Sequence, residues 1–341
     1  MKNIQKTIPI FYATDDNYIP CLATSLASLI ANASKERHYE VNILIEKLRE
    51  ESRRVLEAMA TDNVRIRFVP VGERLQAFCH KLHLRDYYTG ATYYRFFIPE
   101  LFPEYDKGVY LDCDVVLTAD VAELYKTNVS PFLLAACPDD IVAAVEEFSL
   151  YVEAVLGVPA KKYFNAGVLV LNLARMRSLH IEKAFAALLA KRSFKVAQDQ
   201  DYLNVLCFGR VKLLSPVWNK TPLPLQGKEA TPRLLHFKIN FKPWHYDGIP
   251  YAEVFWQYAA KTPFLDYFRQ ARASYSSEDI ARDEAQYREL KRMAQKEAEE
   301  ALAAMRDGEC LAAAYSVEQL LEELFEPTDG ESASSLQVEV L

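Results

Sequence analysis

The sequence predicts an α/β fold, a mostly parallel sheet that opens as a mononucleotide-binding half, followed by a helical C-terminal extension. Three observations carry this. Short apolar runs alternate with amphipathic stretches from Ile8 onward, a pattern that calls for parallel strands joined by right-handed crossovers. The run Tyr110-Leu111-Asp112-Cys113-Asp114-Val115-Val116-Leu117 is a buried-type strand broken by two carboxylates, which marks where a core strand surfaces and bends. Near Arg272 the composition shifts to Ala, Glu, Lys and Arg at helical spacing.

Size and composition bound the rest. With 341 residues, half of them apolar, the chain holds one large domain with additions or two smaller ones, and is neither disordered nor low-complexity. No apolar run is long enough to cross a bilayer, and Met1 to Lys6 lacks a signal-peptide core, so a cytoplasmic location is expected. The cysteines (Cys21, Cys79, Cys113, Cys137, Cys207, Cys310) are scattered and read as reduced core thiols, not disulfides or zinc ligands. Net charge is −7, yet residues 271–341 hold 17 acidic and 7 basic side chains, leaving +3 for the rest. A mildly basic body suits a phosphate-bearing ligand, and the lack of a Lys/Arg stripe with interleaved aromatics argues against nucleic acid.

In chain order, residues 8–14 form a first strand, Asp15-Asp16-Asn17-Tyr18 a polar turn, and residues 20–33 a helix. The turn has no phosphate-cradling glycines. It offers carboxylates and an amide suited to ribose hydroxyls and base edges, with Tyr18 placed to stack on a base or to pack. Strands follow at 41–46 and 64–69, flanking a charged helix at 49–60. A helix begins at 92–98, where the aromatic neighbours of Arg95 make it a partly buried, oriented cation. Residues 121–125 are a short helix and 132–137 a strand ending in Pro138-Asp139-Asp140. An amphipathic helix covers 141–156, and the loop 157–163 is placed to cover a site. Residues 164–172 form a second buried strand with Asn165 and Gly167 at its mouth, where a ligand can approach the backbone closely. Helices follow at 175–191 and from Gln198-Asp199-Gln200-Asp201, whose two acids exceed what capping requires. Trp218-Asn219 lies in a loop, residues 233–237 make the last short strand, and residues 278–305 a long helix. A second helix covers 316–325 with Ser316 as N-cap and ends at Pro327-Thr328-Asp329-Gly330. The boundary near Arg272 divides the chain into 1–272 and 273–341.

Asp112 and Asp114 repel each other unless a cation neutralises them, and hard oxygen donors at a strand end suit Mg2+ or Mn2+. The competing reading is a strand cap that starts a turn. By default His236 is a core histidine with one hydrogen bond and Lys242 a surface lysine in a turn. Together they are the complement that two carboxylates holding a metal-diphosphate require.

These stretches resemble the retaining glycosyltransferases of family 8, which include bacterial transferases of lipopolysaccharide synthesis and are similar in fold to glycogenin. The resemblance spans about residues 8–268. It implies an A-type glycosyltransferase fold, a Rossmann-like nucleotide-binding half merged with an acceptor half around one mixed central sheet. It also implies a UDP-sugar donor (UDP-glucose or UDP-galactose), a saccharide or lipid-linked acceptor, and Mn2+ or Mg2+ held by Asp112, Asp114 and His236. Ala13, Asp15, Asn17 and Tyr18 match the uridine-binding turn, Arg95 a donor-binding arginine, and Lys242 a diphosphate ligand. Asn165, Asp199 and Gln200 match residues lining the transferred sugar. Asp139 is read as orienting an acceptor hydroxyl or, equally, as capping a helix. A glutamine in place of the carboxylate nucleophile of a double displacement implies front-face attack, with Asp199 positioning the sugar.

Two departures stand out. Ile239 occupies a position where many relatives have a glycine giving backbone access to the diphosphate, so its side chain is expected to crowd that approach. The C-terminal segment is acidic and helical where lipopolysaccharide members can end in a basic, aromatic membrane-binding tail. Electrostatic membrane attachment is therefore unsupported, and self-association or partner binding through the helices is expected. Two other readings remain at this stage. One is a metal-dependent nucleotidyltransferase or nucleotide-sugar hydrolase, although the triphosphate loop of the former is missing. The other is a non-catalytic sugar-nucleotide-binding protein whose helical tail is the working part.

Overall fold

The computed structural model describes residues 7–72, 90–223, 231–306, 319–320 and 322. In chain order the strands are β1 (Thr7–Ala13), β2 (His38–Ile45), β3 (Val64–Pro70), β4 (Lys107–Leu111), β5 (Val115–Leu117), β6 (Leu134–Pro138), β7 (Phe164–Asn172), β8 (Val211–Leu213) and β9 (Leu234–His236). The main sheet runs β3-β2-β1-β4-β7-β6-β8. From β3 to β4 the pairing is parallel, as strand-helix alternation requires. β7 then enters antiparallel to both β4 and β6, and β8 pairs parallel to β6, which makes the sheet mixed. β8 escaped the sequence reading because three residues carry no periodicity.

The helices are α1 (Ile19–Asn32), α2 (Glu50–Glu57), α3 (Ile98–Leu101), α4 (Val121–Tyr125), α5 (Asp140–Ala144), α6 (Glu146–Tyr151), α7 (Leu173–Ser178), α8 (Ile181–Lys191), α9 (Asp199–Leu206), α10 (Ala252–Ala259), α11 (Leu265–Ser274) and α12 (Ser277–Arg306). α1 carries Pro20 in its first turn, where a missing N–H is no loss. β7 shows why the sheet needs cover on both faces: Val168 and Val170 enter one core with Leu22 and Leu26, while Leu169 and Leu171 enter the other with Phe185 and Tyr202.

Three expected helices are broken. The stretch 92–98 is mainly a 3-10 turn, Gly90–Phe96, before α3. The stretch 141–156 is split at Val145, which is extended (φ −108°, ψ 117°), into α5 and α6, then continues as a π-turn (Val152–Leu156) that ends at left-handed Gly157. Residues 175–191 are divided by His180 at φ +46°. Amphipathic spacing survives such breaks, so the apolar pattern does not reveal them.

After Leu111 the chain leaves the main sheet, and β5 pairs antiparallel with β9 in a separate ribbon that sets Val115 opposite His236. The Asp112 N–H donates to the Gly167 carbonyl (2.8 Å), and the Phe237 N–H to the Asp114 carbonyl (2.9 Å). The two acids therefore bridge from sheet to ribbon.

Cys21, Cys113, Cys137 and Cys207 are free and buried. Cys79, Cys310, Met1 to Lys6, most of the second tail helix with the Pro327 turn, and residues 224–230 lie outside the described residues. Among those described, no helix is long and apolar enough to cross a membrane. α12 is not a free rod: it lies against α6 and the π-turn, burying Ala294 and Ala298 and half-burying Tyr287, Leu290 and Met293.

Candidate active site

A cleft at the C-terminal ends of β1 and β4 is lined by most of the residues singled out from the sequence. Ala13, Asp15 and Tyr18 form one end, Asp112, Asp114, His236 and Lys242 the middle, and Asn165, Asp199, Gln200 and Asp139 the adjoining wall. A parallel sheet directs strand-end loops into such a crevice. Asp15 builds its own turn, with Oδ1 accepting from the N–H groups of Asn17 (2.8 Å) and Tyr18 (3.3 Å). Asn17 is not brought to this cleft. It is exposed and borders a shallow groove with Asp16 and Arg49.

Asp112, Asp114 and His236 offer ligand atoms that all lie within 4.8 Å of one another. His236 Nε2 faces Asp114 Oδ1 at 3.1 Å and Asp112 Oδ2 at 3.8 Å. A chain of hydrogen bonds fixes which nitrogen does so. The Gly167 N–H, which can only donate, donates to Asn165 Oδ1 (3.0 Å). Asn165 Oδ1 also accepts from Asn219 Nδ2 (2.8 Å), which turns Asn219 Oδ1 toward His236 Nδ1 (2.8 Å). An acceptor at Nδ1 puts the proton there and leaves the Nε2 lone pair aimed at two carboxylates. Lone pairs so arranged converge on one point, and two hard oxygens plus an imidazole suit a divalent ion. Gly167 makes the space: a Cβ there would lie 2.3 Å from His236 Cε1 and 2.5 Å from Asp112 Oδ2. Sequence reasoning reserved that room for a ligand, but the protein's own metal-type donors take it.

Lys242 Nζ lies 2.5 Å from Asp114 Oδ2, with its ammonium 5.3 Å from the Trp244 ring centre. Burial alone would raise the Asp114 pKa, but the Lys242 ammonium beside it holds it well below the usual carboxylate range. Cys113, between the two acids, is buried, and its thiol donates to the Ala13 carbonyl (3.2 Å).

Arg95 is buried beneath this cluster. Its guanidinium donates to Asp112 Oδ1 (3.1 Å), the Thr92 carbonyl (2.9 Å) and the Ala166 carbonyl, and lies 4.4 Å over the Tyr110 ring. It also pairs with Asp199 Oδ2 at 3.1 Å. Burial raises the Asp199 carboxyl to about 7 against the pull of Arg95, with Asp112 and Asp201 adding to the rise. Arg95 therefore orients two acids of the site.

Gln200 is fully engaged. Its Oε1 accepts from Asn165 Nδ2 and the Ala166 N–H (both 3.0 Å), and its Nε2 donates to Tyr163 Oη (3.2 Å) and Asp139 Oδ2 (3.3 Å). Asp201 is buried and accepts from Tyr163 Oη (2.6 Å), Tyr151 Oη (2.9 Å) and the Ala197 N–H (2.9 Å), a role internal to the wall. Asp139 caps α5 with Oδ1, as one of its two expected parts, and its Oδ2 accepts from Asn165 Nδ2 (3.0 Å) and Gln200 Nε2.

Two residues and one helix that help to build this cleft went unassigned in the sequence. Asn219 stood in a loop without a pattern. Lys238, which is buried, pairs with both Asp139 and Asp140 at 3.1 Å; against the effect of burial it holds Asp139 below the ordinary carboxylate value. The third is α12, whose Asp283, Gln286, Tyr287 and Leu290 line the cleft. Ile239 also borders the cleft, at φ +51°. A left-handed backbone costs a β-branched residue about 1–2 kcal/mol, so conformation as well as access favours glycine at this position.

The profile of glycosyl transferase family 8 matches residues 9–248. A putative glycosyltransferase of Haemophilus influenzae is 30% identical over 220 residues, 64% of this chain and 64% of that relative, so the chain spans under two thirds of its length. The lipopolysaccharide 1,2-glucosyltransferase of Escherichia coli is 25% identical, covering 74% of this chain and 78% of the relative. Among solved structures, the galactosyltransferase LgtC in complex with donor and acceptor sugar analogs superposes with a TM-score of 0.65 at 25% identity, covering 77% of this chain and 100% of the other. The bifunctional WbbM gives a TM-score of 0.67 at 26% identity, covering 79% and 52%.

Proposed function

The chain belongs to glycosyl transferase family 8 and has the A-type glycosyltransferase fold, and from that premise we propose that it transfers glucose or galactose from a UDP-sugar to a saccharide hydroxyl with retention of configuration. The observation that carries this reading is the convergence of Asp112, Asp114, His236 and Lys242 between the Asp15–Tyr18 turn and the Asn165–Gln200–Asp139 wall. Cell-surface glycan synthesis is the proposed setting, supported by similarity to a lipopolysaccharide glucosyltransferase, and a cytoplasmic site is proposed with it. Residues 1–272 are assigned as the catalytic unit and 273–341 as an extension.

Asp112, Asp114 and His236 would hold the ion, Mn2+ in this proposal, and a bound divalent ion supplies Lewis-acid neutralisation of a diphosphate leaving group. Lys242 adds a cation beside it, placed to move from Asp114 to phosphate oxygen as charge grows there. Ala13, Asp15 and Tyr18 receive the nucleoside. Asp199, held by Arg95, and Asn165 border the transferred sugar.

Among the described carboxamide and carboxylate groups of this wall, the Gln200 oxygen already accepts two hydrogen bonds, Asp201 is sealed behind two tyrosines and Asp199 is paired with Arg95, which supports a mechanism without a protein nucleophile. Front-face attack follows. The acceptor hydroxyl enters on the side the UDP leaves, gives its proton to the departing β-phosphate, and is oriented by Asp139. Incubation with a panel of UDP-hexoses, with Mn2+ or EDTA, tests the proposal by UDP release. Mn2+-dependent release from UDP-glucose or UDP-galactose is expected, and none from any UDP-hexose would reject it. Release that never yields a glycoside with any saccharide would favour the hydrolase.

A further inference from the structure

We infer that α12 forms the outer wall of an acceptor subsite, in which Tyr287, Gln286 and Leu290 receive a neutral saccharide against Ile141, Val142 and Phe148. The inference rests on the transferase reading above and adds a binding surface to it. These six residues line the same cleft as Asp139 and Gln200, away from the nucleoside end at Ala13, Asp15 and Tyr18. Ile141 and Val142 lie two and three residues beyond Asp139, the group proposed to orient the acceptor, with the intervening Asp140 paired to Lys238 at 3.1 Å. Phe148 continues that wall, and Tyr287 meets it edge-on at 6.1 Å between ring centres. α12 therefore faces the place where an acceptor extends beyond its reacting hydroxyl.

The chemistry of the surface selects the ligand. Aromatic and aliphatic side chains with a few polar groups match a sugar ring, which has an apolar C–H face and hydroxyl edges. Gln286 Oε1 is buried with no hydrogen-bond partner among the described residues. Such an acceptor is costly to leave unmet, and a sugar hydroxyl supplies the donor. The lysines that flank the wall are neutralised, Lys291 by Glu147 and Lys195 by Glu297, both at 2.9 Å, so anionic groups gain nothing there.

The wall is also held in place. Besides those ion pairs, Tyr246 and Tyr275 each donate to Asp283 Oδ2 at 2.5 Å, tying α12 to the loop that carries Lys242. Since the family match ends at residue 248, α12 lies beyond the matched segment, and acceptor choice through it belongs to this chain's own extension.

Direct binding of p-nitrophenyl β-glucoside and β-galactoside to the full chain, saturated with UDP and Mn2+, tests the subsite. Tyr287→Ala and Gln286→Leu are each expected to weaken glycoside binding roughly tenfold with UDP affinity unchanged, while Tyr287→Phe keeps the ring and the affinity. Gln286→Leu retains bulk and remains informative should Tyr287→Ala melt early. Unchanged glycoside binding in both variants, a parallel loss of UDP affinity, or no glycoside binding by the wild type would overturn the assignment. The transferase reading fails separately, through absence of UDP release, because the glycoside titration does not depend on turnover.

Discussion

Replacing Gly167 by alanine tests the geometry of the candidate metal site with one added carbon. An ideal Cβ there lies 2.3 Å from His236 Cε1, 2.5 Å from Asp112 Oδ2 and 3.0 Å from His236 Nδ1, whereas ordinary contact begins near 3.4 Å. The imidazole or the carboxylate must therefore retreat by about 1 Å. Neither is free to do so. His236 is gripped by Asn219 and by the pairing of β9 with β5, and Asp112 by Arg95 and Tyr110 Oη (3.0 Å). Overpacking of this kind costs about 1–3 kcal/mol of stability. A donor displaced by about 1 Å weakens what it serves on the order of 100-fold. Mn2+ titration of the UDP-saturated protein, followed by the electron-paramagnetic-resonance signal of free Mn2+ and paired with thermal melts, measures both effects. Wild-type Mn2+ affinity in Gly167→Ala would refute the packing described for these three groups.

Asn219→Ala removes the acceptor that fixes the His236 tautomer, and Mn2+ affinity is expected to fall about 10- to 100-fold by calorimetry; no change would mean that the Gly167–Asn165–Asn219 chain does not govern the imidazole. Lys238→Ala leaves the buried Asp139 without its cation and is expected to cost about 3–5 kcal/mol in denaturant unfolding. Because the Asp139 pKa is depressed, the stability it contributes is fully present above the ordinary carboxylate value of 3.8 and is lost as pH falls through the lower folded value. The variant should flatten that acid limb, and an unaltered limb would show that the pair contributes nothing. Ile239→Gly relieves about 1–2 kcal/mol of left-handed strain while adding about 0.5–1 kcal/mol of chain entropy. A gain of up to about 1.5 kcal/mol is expected, and a clear loss would assign the side chain a packing role that outweighs its backbone.

Much of this architecture was legible because it rests on local patterns. The opening strand, turn and helix, the broken strand at Asp112 and Asp114, and the buried run of β7 each announce themselves by apolar spacing and the placement of a few polar residues. The long helix was placed within one residue at each end by its composition. What stayed hidden depends on distant pairing. Nothing near residue 236 says that β9 leaves the main sheet for β5, yet that ribbon is what sets His236 beside the acids. Lys238 and Asn219 look like ordinary loop residues until Asp139 and Asn165 arrive from elsewhere in the chain. Composition and helical spacing marked α12 as a long helix without saying that it would close a cleft.

Asp114 is the group on which the central claim turns, since it is tied to the β5–β9 ribbon, faces His236 Nε2 and holds Lys242. UDP release from UDP-glucose and UDP-galactose by Asp114→Asn, with Mn2+ and with circular dichroism confirming the fold, measures its role most directly. Turnover at least roughly 100-fold below wild type is predicted, as for loss of a principal electrostatic group, and near-wild-type release by the folded variant would contradict the account.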